Sequence, residues 1–477
     1  MPLVLSLVLL QDLPSVHKLW LSAPSPTAKI IFPKGASPTS VAHLTKQDEK
    51  DMQNPKCTSR HVMIRDCVDD EAGREGKGEI VSYAMWNFLV GRKEGDSGGD
   101  GAYYDEWPGD ARQDIIKDLV AKAKKKREDT MGKGDYAHLF FLDKALPILN
   151  SHTIHKTHLL QVLATLATSP THRRLGAASK LVSWGCQLAD THHLPIYVES
   201  TAAGLPVYQK HGFQKVSTLT VDLRPYGADH VHDNTVLVRP AKPPDAHIDA
   251  VCLSPILTNA DLAAFPMIES EAFTGPSPPV EPNNEQNHKK RPPTSIFPLI
   301  LHSIPPATIL SHRTTTIIHN SLTTPQIHYI KAFIPRSNRI VGWASYTLHP
   351  PAPSPPSFPP GHNTALASAL FSREAALRDS HMSGKKAYLY LRVVVVTPDW
   401  QGRGAGKGLV REVCRVADQK GVEAWVDASG GGRRLYEGAG WKEVGETGVE
   451  LGEWGGEGRE VVVGMVREVG GGKGVET

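Results

Sequence analysis

The sequence predicts an α/β chain built from two copies of one domain placed in tandem. Three observations predict it. A 44-residue segment occurs twice, a β-branched run leads through a glycine-rich turn into an amphipathic helix, and proline-rich joints divide the chain near its middle. A length of 477 residues suits two to three domains, each large enough to bury its own core.

The repeat comes first. Pro170 to Phe213 aligns without a gap with Pro398 to Trp441, at a constant offset of 228. Gly176 meets Gly404, Leu181-Val182 meets Leu409-Val410, Cys186 meets Cys414, Tyr208 meets Tyr436, and Gly212 meets Gly440. The matches fall on glycines, on an apolar helical face and on one tyrosine. Upstream, Ile80 to Ala84 resembles Ile340 to Ala344 at an offset of 260. The first copy therefore holds 32 more residues between this strand and the shared segment than the second copy does.

The joints are read from composition. Pro243-Pro244 follows a short apolar strand at Thr235 to Val238, so the boundary is placed there, giving domains 1–242 and 243–477. Gly275 to Pro293 is polar and reads as a loop. Pro350 to Pro360 is too rich in proline for a helix or an inner strand. The glycine-rich tail after Val469 reads as disordered. The second copy opens with a strand and a helix, Ile248 to Leu253 and Asn259 to Phe273. The first copy shows no such opening, only a short apolar run before Ile30-Ile31-Phe32-Pro33, so its opening strand is expected to be missing.

The second copy shows the chemistry more clearly. Tyr388 to Val396 reads as a buried inner strand that Pro398 ends. Gln401 to Gly406 is a tight turn. Lys407 to Lys420 carries Leu409, Val410, Val413, Cys414 and Val416-Ala417 on one helical face. A strand at Ala424 to Val426, a short helix at Arg433 to Glu437 and then Gly440-Trp441 follow. Strand, glycine turn and helix together make an anion-binding device. The first helical turn has unpaired N–H groups and the positive end of the dipole, and glycines let the backbone close on a phosphate. Arg403 adds a full charge. Spacing excludes two phosphate-binding motifs. A Walker loop needs Gly where Gln401 stands and Ser or Thr where Gly408 stands. A dinucleotide fingerprint needs Gly where Lys407 stands. The pattern that fits is Q/R-x-x-G-x-G/A, met by Gln401, Gly404 and Gly406 after Val396-Thr397-Pro398.

This segment resembles motif A of the GNAT superfamily of N-acetyltransferases. Leu435 to Trp441 resembles the motif B that follows it. The first copy matches at Arg173, Gly176 and Ala178 and again at Val207 to Phe213. The resemblance implies two tandem α/β (α+β) folds, each a mixed, bent, splayed sheet flanked by helices. It implies acetyl-CoA as co-substrate, lying where the fourth and fifth strands part. The cofactor would then be held by Val394, Val396, Gln401, Gly402, Arg403, Gly404, Ala405 and Gly406. In the first copy it would be held by Arg173, Arg174, Gly176, Ala177 and Ala178. Tyr436, and Tyr208 in the first copy, stand where the family's general acid often stands; both also read as core aromatics of a short helix. No carboxylate lies on Leu389 to Val396, so no base is identified. Asp427 and Glu199 end the fifth strands and could bind substrate or serve through water, but read chiefly as caps of the following turn.

The first copy departs further from the pattern. Leu139 to Asp143 reads as the start of its fourth strand and Leu163 to Ala167 as the continuation. Lys144 to Val162 between them reads either as a genuine loop or helix out of alignment, or as an insertion that bulges from the sheet, tolerated or a translated intron. The second copy is therefore expected to hold the better site, transferring acetyl to an amine on a small molecule or a protein. The alternatives are a non-catalytic acyl-CoA-binding or scaffold protein, and an unrelated phosphate-binding α/β domain.

Bulk properties narrow the partners. A formal charge of +3 argues for neither nucleic acid nor an acidic membrane as partner. Five scattered cysteines and histidines without cysteine or carboxylate company suggest neither a disulfide framework nor a metal. Leu3 to Leu10 lacks the basic start of a secretory signal, and no stretch approaches a membrane span. A cytoplasmic protein is expected, with the nucleus also open.

Overall fold

Each copy of the repeat is organised on one seven-stranded mixed sheet. The computed structural model describes residues 3–22, 26–55, 57, 59–66, 78–90, 106–131, 159–227, 229–242, 251–256, 258–274, 296–301, 304–335, 339–348 and 357–471. The chain divides into two units, Met1–Ile248 with Leu257–Asn259, and Asp249–Ile256 with Ala260–Thr477.

The first unit contains β1 (Leu3–Leu7), α1 (Leu13–Leu21), α2 (Pro26–Ile31), α3 (Pro38–Gln53), β2 (Ser59–Asp66), β3 (Glu79–Val90) and α4 (Gln113–Met131). It continues with β4 (Leu159–Thr168), α5 (Ala177–Thr191), β5 (Ile196–Ser200), α6 (Leu205–Lys210), β6 (Gln214–Asp222) and β7 (Val231–Arg239). The second unit contains β8 (Cys252–Pro255), α7 (Asn259–Thr274), α8 (Ile296–Leu301), α9 (Pro306–Thr323), β9 (Ile327–Ile334), β10 (Arg339–Leu348) and α10 (Thr364–Met382). It continues with β11 (Tyr388–Val396), α11 (Ala405–Lys420), β12 (Glu423–Ser429), α12 (Arg433–Glu437), β13 (Lys442–Glu450) and β14 (Arg459–Arg467).

The two sheets have one topology, β1-β2-β3-β4-β5-β7-β6 and β8-β9-β10-β11-β12-β14-β13. The β4–β5 and β11–β12 pairs are parallel, and the other pairings are antiparallel. A parallel pair needs a crossover, and α5 and α11 supply it. The apolar stripe of α11 packs Leu409, Val410, Val413, Cys414 and Ala417 against Leu389, Leu391, Ala424 and Val426. In the first unit α5 packs Leu181, Val182, Cys186 and Ala189 against Leu163, Ile196 and Val198. One core contact trades volume between the copies. A Cβ on Gly185 would lie 2.1 Å from the Trp86 ring, so the glycine makes room for the indole. The second unit has Val413 and Tyr346 at these positions.

The offset of 228 holds beyond the segment that revealed it. β6 and β13, and β7 and β14, have matching bounds. Arg239 donates two hydrogen bonds to Asp190 (2.6 and 3.0 Å), and Arg467 donates two to Asp418 (2.8 and 2.8 Å). Each arginine also donates to a carbonyl of the strand-connecting turn, His211 or Ala439. In both units this fork ties the last strand to the end of the crossover helix.

Two expectations are corrected. The first unit has an opening strand: β1 pairs antiparallel with β2, from Leu3↔Asp66 to Leu7↔Val62. Leu3 and Leu5 pack on the core, but Leu3 to Ser6 are all half-buried and Leu7 is exposed, so no in-and-out alternation marks the strand in the sequence. The last four residues assigned to the insertion, 159–162, belong to the fourth strand instead. β4 runs from Leu159 to Thr168 and pairs with β3, including Val162↔Asn87 and Leu159↔Val90. Leu139 to Asp143 and 144–158 lie outside the described residues. The extra residues fall in two places. Helices α4 and α10 both have 19 residues and stand 251 apart, where β3 and β10 stand 260 apart and β4 onward 228. Nine extra residues therefore precede α4, and 23 lie between α4 and β4.

Candidate functional site

The site is built where β11 leaves β12. The two strands pair from Tyr388↔Glu423 to Leu391↔Val426 and then part. β11 continues to Val396, paired on its other edge with β10 as far as Gly342↔Val396. A bulge between Ser345 and Tyr346 leaves Arg392 as the extra residue at the vertex. Among the described residues, Arg392 to Val396 have no β12 partner, so this edge of backbone is open for pairing. Val394 and Val396 lie on it, half-buried against the core. The first unit repeats the geometry. β4 pairs with β5 over Gln161↔Ile196 and Val162↔Tyr197, and the equivalent bulge leaves Ala164 extra.

The glycine turn closes the end of β11. Gln401 donates through Nε2 to the Val396 carbonyl (3.1 Å), and the Arg403 guanidinium stacks over Trp400 at 5.3 Å. Gly402 (φ 74°) and Gly404 (φ 92°) both take the left-handed conformation. Gly404 is the N-cap of α11 and no side chain caps it, so the first-turn N–H groups face outward. Gln401, Gly402, Arg403 and Gly404 are exposed, Ala405 is buried and Gly406 half-buried. A Cβ on Gly406 would sit 3.4 Å from Leu435 and 3.6 Å from Val396, so strand end, helix start and α12 meet there. In the first unit Gly176 (φ 88°) caps α5 in the same way, but Arg174 takes the left-handed turn position (φ 63°). Arg173 and Arg174 are exposed, Ala177 is buried and Ala178 half-buried.

Tyr436 lies on α12, beside Leu435. It is buried and packs edge-on against Trp441, with ring centroids 5.9 Å apart. Tyr208 packs in the same way on Phe213 at 5.5 Å. Burial raises the pKa of both phenols well above the ordinary tyrosine range, so both stay protonated at neutral pH.

Asp427 and Glu199 do not cap the next turn; this expectation is corrected. Asp427 Oδ1 accepts from Trp425 Nε1 (2.8 Å), and Oδ2 accepts from Tyr390 OH (2.8 Å) and Arg378 (3.1 Å). Glu199 accepts from Tyr197 OH at 2.9 Å. Each carboxylate thus turns to a same-face neighbour two residues back on its strand, where the aromatic donor was visible in the sequence. Burial raises the pKa of both acids; for Asp427 the bonds from Trp425, Arg378 and Tyr390 oppose it, and for Glu199 the Tyr197 bond and Arg127 do. Arg378 stacks over the Tyr390 ring at 4.6 Å. Sequence reasoning missed α10 and with it Arg378 and Glu374. The changes of offset on either side of the helix hid its repeat.

Among the described residues, no three His, Cys, Asp or Glu side chains are grouped to hold a metal. His152, His155 and His158, which recur every three residues in the sequence, lie outside them. No described helix is long and apolar enough to cross a membrane.

Residues 300–441 match the family model described as acetyltransferase (GNAT) family. A curated relative named "Probable acyltransferase SID5", from Ajellomyces capsulatus, is 40% identical over 45 residues, 9% of this chain and 33% of the relative. The chain thus spans about a third of the length of that relative. Among solved structures, a mosquito arylalkylamine N-acetyltransferase like 5b is 12% identical, with a TM-score of 0.30, covering 46% of this chain and 99% of its own. The ribosomal-protein-S18-alanine N-acetyltransferase of Escherichia coli is 10% identical, with a TM-score of 0.26, covering 52% of this chain and 98% of its own.

Proposed function

The chain carries an acetyltransferase (GNAT) family domain at residues 300–441, and from that premise we propose that it is an acetyl-CoA-dependent N-acetyltransferase whose working site is in the second unit. The observation that carries this reading is the parting of β11 from β12 directly beside an uncapped, glycine-led helix start. The open edge at Val394 and Val396 can pair with the amides of the pantetheine arm. The N–H groups after Gly404, with Gln401, Gly402, Arg403, Ala405 and Gly406 around them, can hold the pyrophosphate. Arg403 adds charge, and its stacking on Trp400 limits the conformations it loses on binding.

Acetyl-CoA supplies the activated acetyl group. A neutral amine attacks the acetyl carbonyl, the new C–N bond forms and the C–S bond breaks. Tyr436 donates its proton to the departing thiolate, which its protonated state at neutral pH allows. The acceptor is an amine, on a small molecule or a protein.

For the first unit a second reading has its own support. Arg174 replaces a turn glycine, and the pair Tyr390–Asp427 is replaced by Val162 and Glu199. An acyl-CoA-binding or supporting role fits that unit. Titration calorimetry with acetyl-CoA tests binding, and release of free CoA thiol across a panel of amines tests transfer. Binding without thiol release would move the whole chain to the non-catalytic reading; no binding would overturn both.

A further inference from the structure

Acetyl transfer leaves one proton unassigned, because the nitrogen that attacks must lose one. Asp427 is nearest the vertex in sequence, but Trp425, Tyr390 and Arg378 already occupy three of the roughly four acceptor sites of its carboxylate. A base needs a free lone pair. Glu374 on α10 has one. Among the described residues its carboxylate has no hydrogen bond, Asp427, Arg378 and Glu460 acting on it through charge alone, and the residue is half-buried.

Contacts along α10 fix where Glu374 lies. His381 packs on Trp425 at 5.8 Å, Arg378 reaches Asp427 at 3.1 Å, and Arg373 donates to the Gly448 carbonyl. Gly448 pairs with Val461, the neighbour of Val462, which pairs with Ser429. The helix therefore runs antiparallel to β12, and its earlier residues lie further past the vertex. Glu374, one turn before Arg378, stands about 6 Å along the axis from it, level with the end of β12. This is the side on which β11 and β12 have parted. α10 lies on the face opposite α11, since Tyr390 and Asp427 alternate with the core residues Leu391 and Val426. An acyl group entering past α11 would meet an amine arriving from the α10 side.

We propose that Glu374 is the proton acceptor for the amine in the second unit, with Asp427 and Arg378 as positioning residues that set its charge environment. This rests on the N-acetyltransferase reading above. As the C–N bond forms, the nitrogen gives its proton to the Glu374 carboxylate. Tyr436 gives one to the thiolate, and solvent carries the proton from Glu374 back to the tyrosinate. The first unit lacks the group: α4 and α10 align without a gap, Arg127 stands for Arg378, and Ala123 stands for Glu374.

The groups facing Glu374 are Asp427 on β12, Arg378 on its own helix, Glu460 on β14 and Tyr390 on β11. Burial, then the Asp427 carboxylate, push the Glu374 carboxyl up to about 8, against the pull of Arg378. Its basic form therefore appears as pH rises through that value.

The test compares Glu374→Gln with the wild-type full chain on the most reactive amine of the panel, as kcat/KM against pH. The acceptor's own titration enters both profiles and cancels in their ratio. The expected ratio rises about tenfold per pH unit and levels near pH 8, where Glu374 is ionised. Acetyl-CoA affinity and the circular dichroism spectrum should match the wild type. The variant should also lose less stability than the wild type between pH 5 and 9, because a carboxyl with a raised folded-state pKa costs stability as pH climbs from its unfolded value. A pH-independent ratio near one, with transfer intact, overturns the role of Glu374 and leaves the N-acetyltransferase reading standing. No acetyl-CoA binding or no transfer by the wild type overturns the reading beneath it.

Discussion

The two units share a frame and differ at the points where the frame meets chemistry. Both have the parted strands, the bulge at the vertex, the tyrosine on a short helix and the Arg–Asp fork that closes the last strand. At the turn before the crossover helix the second unit has Gly402 (φ 74°), and the first has Arg174 (φ 63°). At the end of that helix the second has Gly421 (φ 64°), and the first has His193 (φ 53°). The second unit sets Glu374, Tyr390 and Arg378 around Asp427, where the first has Ala123, Val162 and Arg127 around Glu199. Topology is set by apolar packing, which tolerates many side chains. The proposed proton transfer needs one free carboxylate at one level of one helix, and the frame does not require it.

The sharpest way to break this comparison is at the glycine that caps α11. Gly404→Glu puts a carboxylate where a pyrophosphate would lie and a side chain at φ 92°. The expected loss of acetyl-CoA affinity is about 1,000-fold or more. Calorimetry on the folded variant reads it. The matching Gly176→Glu should change the affinity of the chain little if the second unit holds the cofactor. Unchanged affinity in Gly404→Glu would break the assignment; a large effect of Gly176→Glu would erase the difference between the units.

The tyrosines come next. Tyr436→Phe keeps the edge-on packing against Trp441 and removes the proposed acid. Turnover should fall by about 100-fold while acetyl-CoA affinity stays within a few-fold. Tyr208→Phe should leave turnover in place. Thiol release under saturating acetyl-CoA measures both. Wild-type turnover in Tyr436→Phe would return that residue to the core-aromatic role it also fills.

The sequence made the second unit more legible than the first. Tyr388–Val396 and Arg433–Glu437 were read with the bounds the structure gives them, because Pro398 and the glycines mark their ends. The turn residues from Gln401 to Gly406 were readable because positive φ and close approach restrict their side chains. β1 was missed because a five-residue strand carries too little periodicity to outweigh a composition argument. α10 was missed for another reason. Its apolar side is short, and it stands at its own offset from α4. Asp427 was placed on the right strand, but two of its three partners, Tyr390 and Arg378, come from β11 and α10, and long-range donors leave no local mark. Glu374 had no signal at all in one dimension.

The volume exchange in the core gives a smaller effect. Gly185→Val installs in the first unit the residue the second unit has at Val413. Its Cβ would meet the Trp86 ring at 2.1 Å, and the ring is fully buried. The expected cost is about 2 kcal/mol, from overpacking. Adding Trp86→Tyr, which copies Tyr346, should recover part of it. Urea unfolding of the three variants reads the coupling. Additive costs would mean that the two units do not exchange volume at this contact.

The smallest effect sits at the turn and bears most directly on why the units differ. Arg174 holds φ 63°, a conformation in which an L side chain crowds its own carbonyl, at a cost of about 1 kcal/mol. Glycine removes that crowding but adds conformational freedom to the unfolded chain, which offsets about half of the gain. Arg174→Gly should therefore stabilise the first unit by about 0.5 kcal/mol, and Gly402→Arg should destabilise the second by a similar amount. Denaturant midpoints at constant slope measure both. The more telling readout is binding. If the arginine restricts the first unit by keeping a side chain where the phosphate would approach, Arg174→Gly should strengthen acetyl-CoA binding by the Gly176 turn. If binding there is unchanged while stability rises, Arg174 is only a strained turn residue. The functional gap between the units then lies on the acceptor side, at Ala123 and Val162, where no change at the phosphate turn could close it.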